Sequence, residues 1–373
     1  MGKYGKKVEI QLNPLAYNVA LLGESGIGKS TIAKEVCEKL VGDEGYIHFD
    51  IGRESGSDCI NGMVSEKINS WEKLVDVVDD IVENKDTYPN LKVIIWDTFD
   101  ELIILAEQQA IKLHNKKNPE KKTDTINSVA GGFGKGQDKA IELILDLIWE
   151  LKNVGVNPFI IGHVKRSDII DPITQESYSK LTADTQQRYF NAIKNKMHFV
   201  GLAYIDRAIV KEKTGRKNIV TKEDITTNKV VGESRVISFR DNTYSVDSKS
   251  RFADIVDRIS FSSDEFIKAM KDAIIAEAHK GETSIDDLAK KQKAAEVEKE
   301  KEIKRYSEEK KKNHFDLNRN QKLLEIIRDK YMGTTDDDKE EITKLRIKYN
   351  IPNFREADVS TEGLEEIVEY LLA

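Results

Sequence analysis

Eight consecutive residues, Gly23-Glu24-Ser25-Gly26-Ile27-Gly28-Lys29-Ser30, narrow the choice of fold more than anything else in the chain. They satisfy G-x-x-x-x-G-K-[ST], and Thr31 follows directly. Upstream, Tyr17 to Leu22 is an apolar run of strand length. Downstream, Ile32 to Leu40 has apolar residues at helical spacing. Strand, glycine loop and helix in that order are the working context of a phosphate-binding loop. Gly23, Gly26 and Gly28 lack a Cβ, so the loop can turn tightly and aim its N–H groups at one point. Those donors, with the positive end of the helix, suit a polyphosphate. Gly23 to Thr31 are therefore the expected nucleotide cradle. Lys29 is expected on the β and γ phosphates, and the Ser30 hydroxyl on Mg2+.

The rest of the composition excludes several classes. At 373 residues the chain is long enough for a full-sized core and one or two extra modules. No apolar stretch reaches the roughly 18–20 residues of a membrane span, so no membrane partner is expected. The basic start, Met1 to Lys7, leads into no apolar core of the signal type. Cys37 and Cys59 are the only cysteines, and no Cys/His spacing suits zinc. Reduced thiols and a cytoplasmic location are expected. The formal net charge of −7 gives no bulk attraction to nucleic acid, although affinity depends on local patches.

Residues 1–275 alternate apolar strand candidates with amphipathic helices, which predicts an α/β domain with a mainly parallel sheet covered on both faces. The strands are expected at 17–22, 46–51, 91–96, 157–162, 198–205 and 234–239. The helices are expected near 29–41, 70–85, 99–115 and 137–154. From 276 to 313 the composition shifts to strong helix formers and i,i+4 charge pairs with a thin apolar stripe. That pattern predicts a charged, solvated helical linker. Residues 314–373 are expected to form a small helical C-terminal module, its last helix starting near Thr361.

The segment Leu91-Lys92-Val93-Ile94-Ile95-Trp96-Asp97 is an apolar strand that ends in an acid. A buried parallel strand delivers such a carboxylate to the carboxyl edge of the sheet, where ligands bind in open α/β folds. Asp97 is therefore the expected partner of Mg2+ with Ser30, directly or through an intervening ligand; the alternative is that it caps the following helix, which Thr98 could also do. Hydrolysis also needs a carboxylate to orient water. Glu54, Asp100 and Glu101 are the candidates, and reach decides among them. His163 ends the strand Asn157 to Gly162 and would lie beside the γ-phosphate if that strand neighbours the Asp97 strand.

In this order the pieces resemble the RecA-like (ASCE) P-loop ATPases, and more closely the phage-encoded ATP-binding proteins of the recombination and single-strand-annealing type. The resemblance lies in Gly23 to Thr31, Phe49-Asp50-Ile51-Gly52-Arg53-Glu54, Ile94 to Thr98, Ile160 to His163, and Asp247-Ser248-Lys249-Ser250-Arg251-Phe252. It covers roughly the first 260 residues. It implies a RecA-like sheet, MgATP hydrolysis coupled to homo-oligomer assembly, and single-stranded DNA as partner. It also implies Glu54 as the water-orienting acid, and Lys249 and Arg251 as cations that reach a neighbouring subunit's phosphates. Glu54 departs from the pattern by standing three residues beyond its strand.

Two segments are candidates for DNA. Gly131-Gly132-Phe133-Gly134-Lys135-Gly136-Gln137 could stack a base and touch a phosphate. Val164 to Lys196 interleaves cations and aromatics, among acids such as Asp168, Asp171 and Glu176. The alternatives are an ATP-dependent assembly or remodelling factor, such as a helicase loader with a protein partner, and a nucleotide-binding scaffold that does not hydrolyse. A replication or recombination protein could dock on the C-terminal module.

Overall fold

The apolar run before the phosphate loop becomes an interior strand of a ten-stranded sheet. The computed structural model describes residues 9–53, 56–170, 174–217, 224–240, 246–281, 284–331, 333–354 and 356–372. The strands are β1 (Val19–Gly23), β2 (Tyr46–Ile51), β3 (Ser65–Ile68), β4 (Val93–Asp97), β5 (Asn157–Ile170), β6 (Ser177–Ala183), β7 (Phe199–Lys217), β8 (Asp224–Ser238), β9 (Lys249–Ser250) and β10 (Arg258–Ser260). The helices are α1 (Lys29–Val41), α2 (Trp71–Glu83), α3 (Phe99–Lys117), α4 (Lys135–Asn153), α5 (Gln187–Lys194), α6 (Ser263–Ala278), α7 (Ile285–Tyr331), α8 (Asp336–Lys348) and α9 (Thr361–Leu372).

The sheet order is β10-β8-β7-β1-β5-β4-β2-β3. From β3 to β7 the six strands are parallel, and β8 and β10 add antiparallel. The phosphate-loop strand β1 and the acid-ended strand β4 are separated by β5, the arrangement of a RecA-like P-loop fold. Continuous apolar runs make sense here because both faces are covered. Along β1, Val19 and Leu21 join the core under α1 and α6, while Ala20 and Leu22 join the core under α2, α3 and α4. Trp96 and Phe49 pack edge to face on the second of these, with ring centroids 5.4 Å apart.

β1 stops at Gly23, but its two neighbours run on. β5 continues beyond His163 and pairs with β6 as a hairpin. β7 continues beyond Ala203 to Lys217, paired with β8. Fourteen residues at ~3.3 Å each carry that second hairpin on the order of 45 Å past the sheet edge. The described residues between His163 and Lys196 thus form a strand pair and the short helix α5.

At the opposite, amino-terminal edge, the backbone N–H of Asn18 donates to His198 Nδ1 at 3.0 Å. Burial pulls the His198 pKa down from 6.5 to about 4, helped by repulsion from Arg251, Lys152 and Lys249. A base with a depressed folded pKa lends stability that is complete above its unfolded pKa and lost as the pH falls through 6.5 toward 4. His198→Asn keeps an acceptor for Asn18 and removes the titration. It is expected to flatten the loss of stability across that window in urea melts at several pH values. An unchanged slope would refute this.

The expected boundary between linker and module, at 313 and 314, falls inside α7, which runs unbroken for 47 residues. The charged segment also leans on the α/β core. Ser307 Oγ donates to Glu83 O at 2.8 Å, Tyr306 Oη to Glu150 at 2.6 Å, and Gln292 Nε2 to Ile10 O at 2.6 Å. The end of α7 then shares a separate small core with α8 and α9, built on Leu324, Ile327, Ile342, Leu364 and Ile367. Thr335 and Asp338 form a capping box at the start of α8. Among the described residues no helix is long and apolar enough to cross a membrane.

Candidate nucleotide site

Strand register assembles the site. Gly23 pairs with His163, Asp97 with Ile161, and Asp50 with Asp97. The ends of four adjacent parallel strands, β1, β5, β4 and β2, therefore lie along one carboxyl edge. Gly23 is required by space, because a Cβ there would sit 2.9 Å from the Ala203 Cβ and carbonyl oxygen. Gly26 and Gly28 are required by conformation, with φ of +71° and +106°. Gly28 then caps α1, whose first N–H groups face the loop. Within the loop, Ile27 is buried, Glu24 half-buried, and Ser25 and Thr31 exposed.

Lys29, the first residue of α1, is only 6% exposed. Its ammonium donates to Gly23 O and Glu24 O, each at 3.1 Å, which holds it within the loop. Ser30 Oγ donates to Asp97 Oδ2 at 2.5 Å. The two expected metal residues, from α1 and β4, are thus brought into contact. His48 Nε2 reaches the same Oδ2 at 3.0 Å, and His48 Nδ1 lies 3.1 Å from Ser65 Oγ. Asp50, buried at the end of β2, accepts from Ser57 Oγ at 2.6 Å.

The carboxylates proposed to orient water separate by their contacts. Asp100 Oδ2 accepts from the His163 backbone N–H at 2.9 Å and lies 3.0 Å from His163 Nδ1. β5 does neighbour β4, so His163 stands at the edge beside Gly23, tied to Asp100. Glu101 lies against Gly52 at the end of β2, where a Cβ would come 2.1 Å from its Oε2. Glu54 lies outside the described residues. Thr98 caps α3 by accepting from Glu101 N at 3.5 Å.

Lys249 and Arg251 are elsewhere. Lys249 in β9 pairs with Val200, three strand residues or roughly 10 Å below the level of Gly23. Lys249 Nζ donates to Lys194 O at 2.8 Å and Arg251 Nη2 to Asn195 O at 2.6 Å. They belong to the opposite edge and do not face this chain's own phosphate loop.

Sequence reasoning assigned no role to His48, Asp50, Arg235 or Phe261. Two polar residues two apart in an otherwise apolar strand were the available signal for His48 and Asp50. For Arg235, whose guanidinium donates to Ile27 O at 3.4 Å, and Phe261, whose ring packs at Gly28, there was none. Cys37, inside the core under α1, has its thiol pKa pushed up by burial and then by Glu38, so it is no thiolate.

The donor set fits a small hard cation: one hydroxyl and one carboxylate, with no group of three or more His, Cys, Asp or Glu among the described residues. Mg2+ is commonly held in this way, by one or two protein oxygens plus phosphates and water. A glycine-rich loop at the end of β1, with an acid-ended strand one strand away, defines a RecA-like P-loop ATPase. The chain belongs to the AAA_24 family, an AAA domain whose family model matches residues 15–252. No curated protein matches it. Among solved structures, a KaiC-like protein of the hyperthermophilic archaeon Pyrococcus horikoshii OT3 is similar at 13% identity, over 60% of this chain and 78% of that one, with a TM-score of 0.30.

Proposed function

We propose that this chain binds and hydrolyses MgATP and couples the cycle to single-stranded DNA, in recombination or replication of the phage type. The nucleotide half rests on the Ser30–Asp97 contact beneath a preformed glycine loop. Loop N–H groups and the α1 terminus bind phosphate oxygens. Lys29 neutralises the charge that develops on the transferring group. Ser30 and Asp97 would hold Mg2+, which would neutralise charge on the nucleotide's phosphates. Glu54, Asp100 and Glu101 remain the acids proposed to orient water. His163, tied to Asp100, would register the γ-phosphate. Lys249 and Arg251, turned away from this chain's own loop, would act only on a neighbouring copy in a homo-oligomer.

The DNA half rests on what rises beside that site. From Tyr204 to Lys217, β7 carries five Lys or Arg against two acids. Phe133 is 98% exposed on a turn where Gly131, Gly132 and Gly134 all have positive φ. An aromatic presented in this way suits base stacking, which contributes ~1–3 kcal/mol per base. Phe133→Ala is expected to weaken single-stranded DNA binding roughly tenfold, with ATP hydrolysis in the absence of DNA unchanged. The test is steady-state ATPase with and without single-stranded DNA, plus a salt titration of binding. The absence of stimulation, or a binding constant indifferent to salt, would refute the DNA half.

One observation favours the alternative, a remodelling factor with a protein partner. Residues 314–373 carry 14 acids against nine Lys or Arg. Such a module repels DNA and suits a basic protein surface.

A further inference from the structure

We propose that His48 is a positioning residue for the metal site: it fixes the orientation of the Asp97 carboxylate, and Ser65 fixes His48. The inference rests on the reading of the site as one for MgATP. Asp97 is the last residue of β4 and is 7% exposed, so its charge has little water to orient it. Two donors converge on its Oδ2, the Ser30 hydroxyl and His48 Nε2. A carboxylate only accepts, so Nε2 donates in that contact, while Nδ1 shares a hydrogen bond of 3.1 Å with the Ser65 hydroxyl, a group able to donate or accept. Both contacts fall on Oδ2.

The ring has little freedom. His48 is 1% exposed, in β2 between β4 and β3. It pairs with Ile95 on one side and with Ser65 on the other. The parity of the strands puts His48 on the α1 face with Tyr46, Val93 and Ile95, the face from which Ser30 approaches. The short edge strand β3 thus has a chemical consequence: it delivers the hydroxyl that sets the imidazole. Ligand carboxylates and imidazoles held by such outer hydrogen bonds typically lose 10–100-fold in metal affinity when the outer partner is removed.

The test compares His48→Leu, His48→Gln and Ser65→Ala with wild type in the full chain. Mn2+ serves as the probe, its retention by the complex with a non-hydrolysable ATP analogue being followed by paramagnetic resonance. Binding of the same analogue in EDTA is measured by calorimetry. His48→Leu is expected to lose about 10-fold or more in Mn2+ affinity, with metal-free nucleotide binding within about twofold of wild type. His48→Gln, whose amide nitrogen can occupy the place of Nε2, is expected within about threefold for Mn2+, and Ser65→Ala between the two. Wild-type Mn2+ affinity in a folded His48→Leu overturns the proposal. If that variant does not fold, wild-type affinity in Ser65→Ala overturns it. Wild-type protein that takes up no nucleotide would overturn the MgATP reading itself.

Discussion

Lys29→Ala is expected to reduce ATP turnover by ~10²–10³-fold, the cost of removing one preorganised charge from a transition state. The reason is local. Lys29 starts α1 inside the loop, and its ammonium is held by two loop carbonyls rather than by solvent. It is a cation buried in the glycine loop, and in its site little water can replace it. The main-chain donors and the helix terminus remain, so nucleotide affinity should fall far less than turnover. At ~1.4 kcal/mol per tenfold, the loss corresponds to about 3–4 kcal/mol of transition-state stabilisation. The measurement is phosphate release at saturating MgATP, with the melting temperature as a control for folding. Turnover within tenfold of wild type would refute the assignment.

Phe266→Ala is expected to cost ~3–5 kcal/mol of stability, as large-to-small changes at fully buried aromatics do. Phe266 lies on α6 and is fully buried, its ring 5.3 Å from Phe239 and 6.3 Å from Phe159 between centroids. It can approach the sheet because Gly201 of β7 has no side chain; a Cβ there would lie 3.5 Å from the Phe266 ring and 2.9 Å from Ile237. The same helix is tied to α1, where Ser263 Oγ donates to Glu35 at 2.6 Å and Lys39 bonds Ser263 and Asp264. Truncating Phe266 therefore loosens the support under the phosphate loop. A fall of roughly 10 °C in melting temperature is expected by calorimetry. A loss below about 1 kcal/mol would mean that α6 is not part of this core.

How far the chain could be read in one dimension follows from where each signal resides. The runs of β1, β4 and β5 were legible because strands covered on both faces are apolar throughout. β3 was not. Ser65-Glu66-Lys67-Ile68 has one apolar residue, and its strand character comes from pairing with β2. The two hairpin extensions were missed for the same reason: polar residues are drawn into strands by partners already extended. The helix around 291–306 was legible from its composition. Its docking was not, because a thin stripe such as Ile303, Tyr306 and Ser307 acquires meaning only opposite Glu83, Glu150 and Gly155.

The same division runs through the site. Gly23 to Thr31 could be read directly, since contiguous residues carry the whole geometry of a phosphate loop. Asp97 could be read from its place at the end of an apolar strand. His48 and Asp50 could not, because their relation to Asp97 is a matter of register between β2 and β4. The contrasting position of Lys249 and Arg251, on the far edge, is likewise a product of strand pairing.

Local order in this protein was set by covalent neighbours: glycine dihedrals, helix starts and apolar periodicity act over a few residues. Which side chains meet across 49 or 67 positions, as His48 and Ser30 do on one carboxylate oxygen, was decided only when parallel strands settled into one register. Hydrogen bonds between strands select that register collectively, and no single segment encodes it.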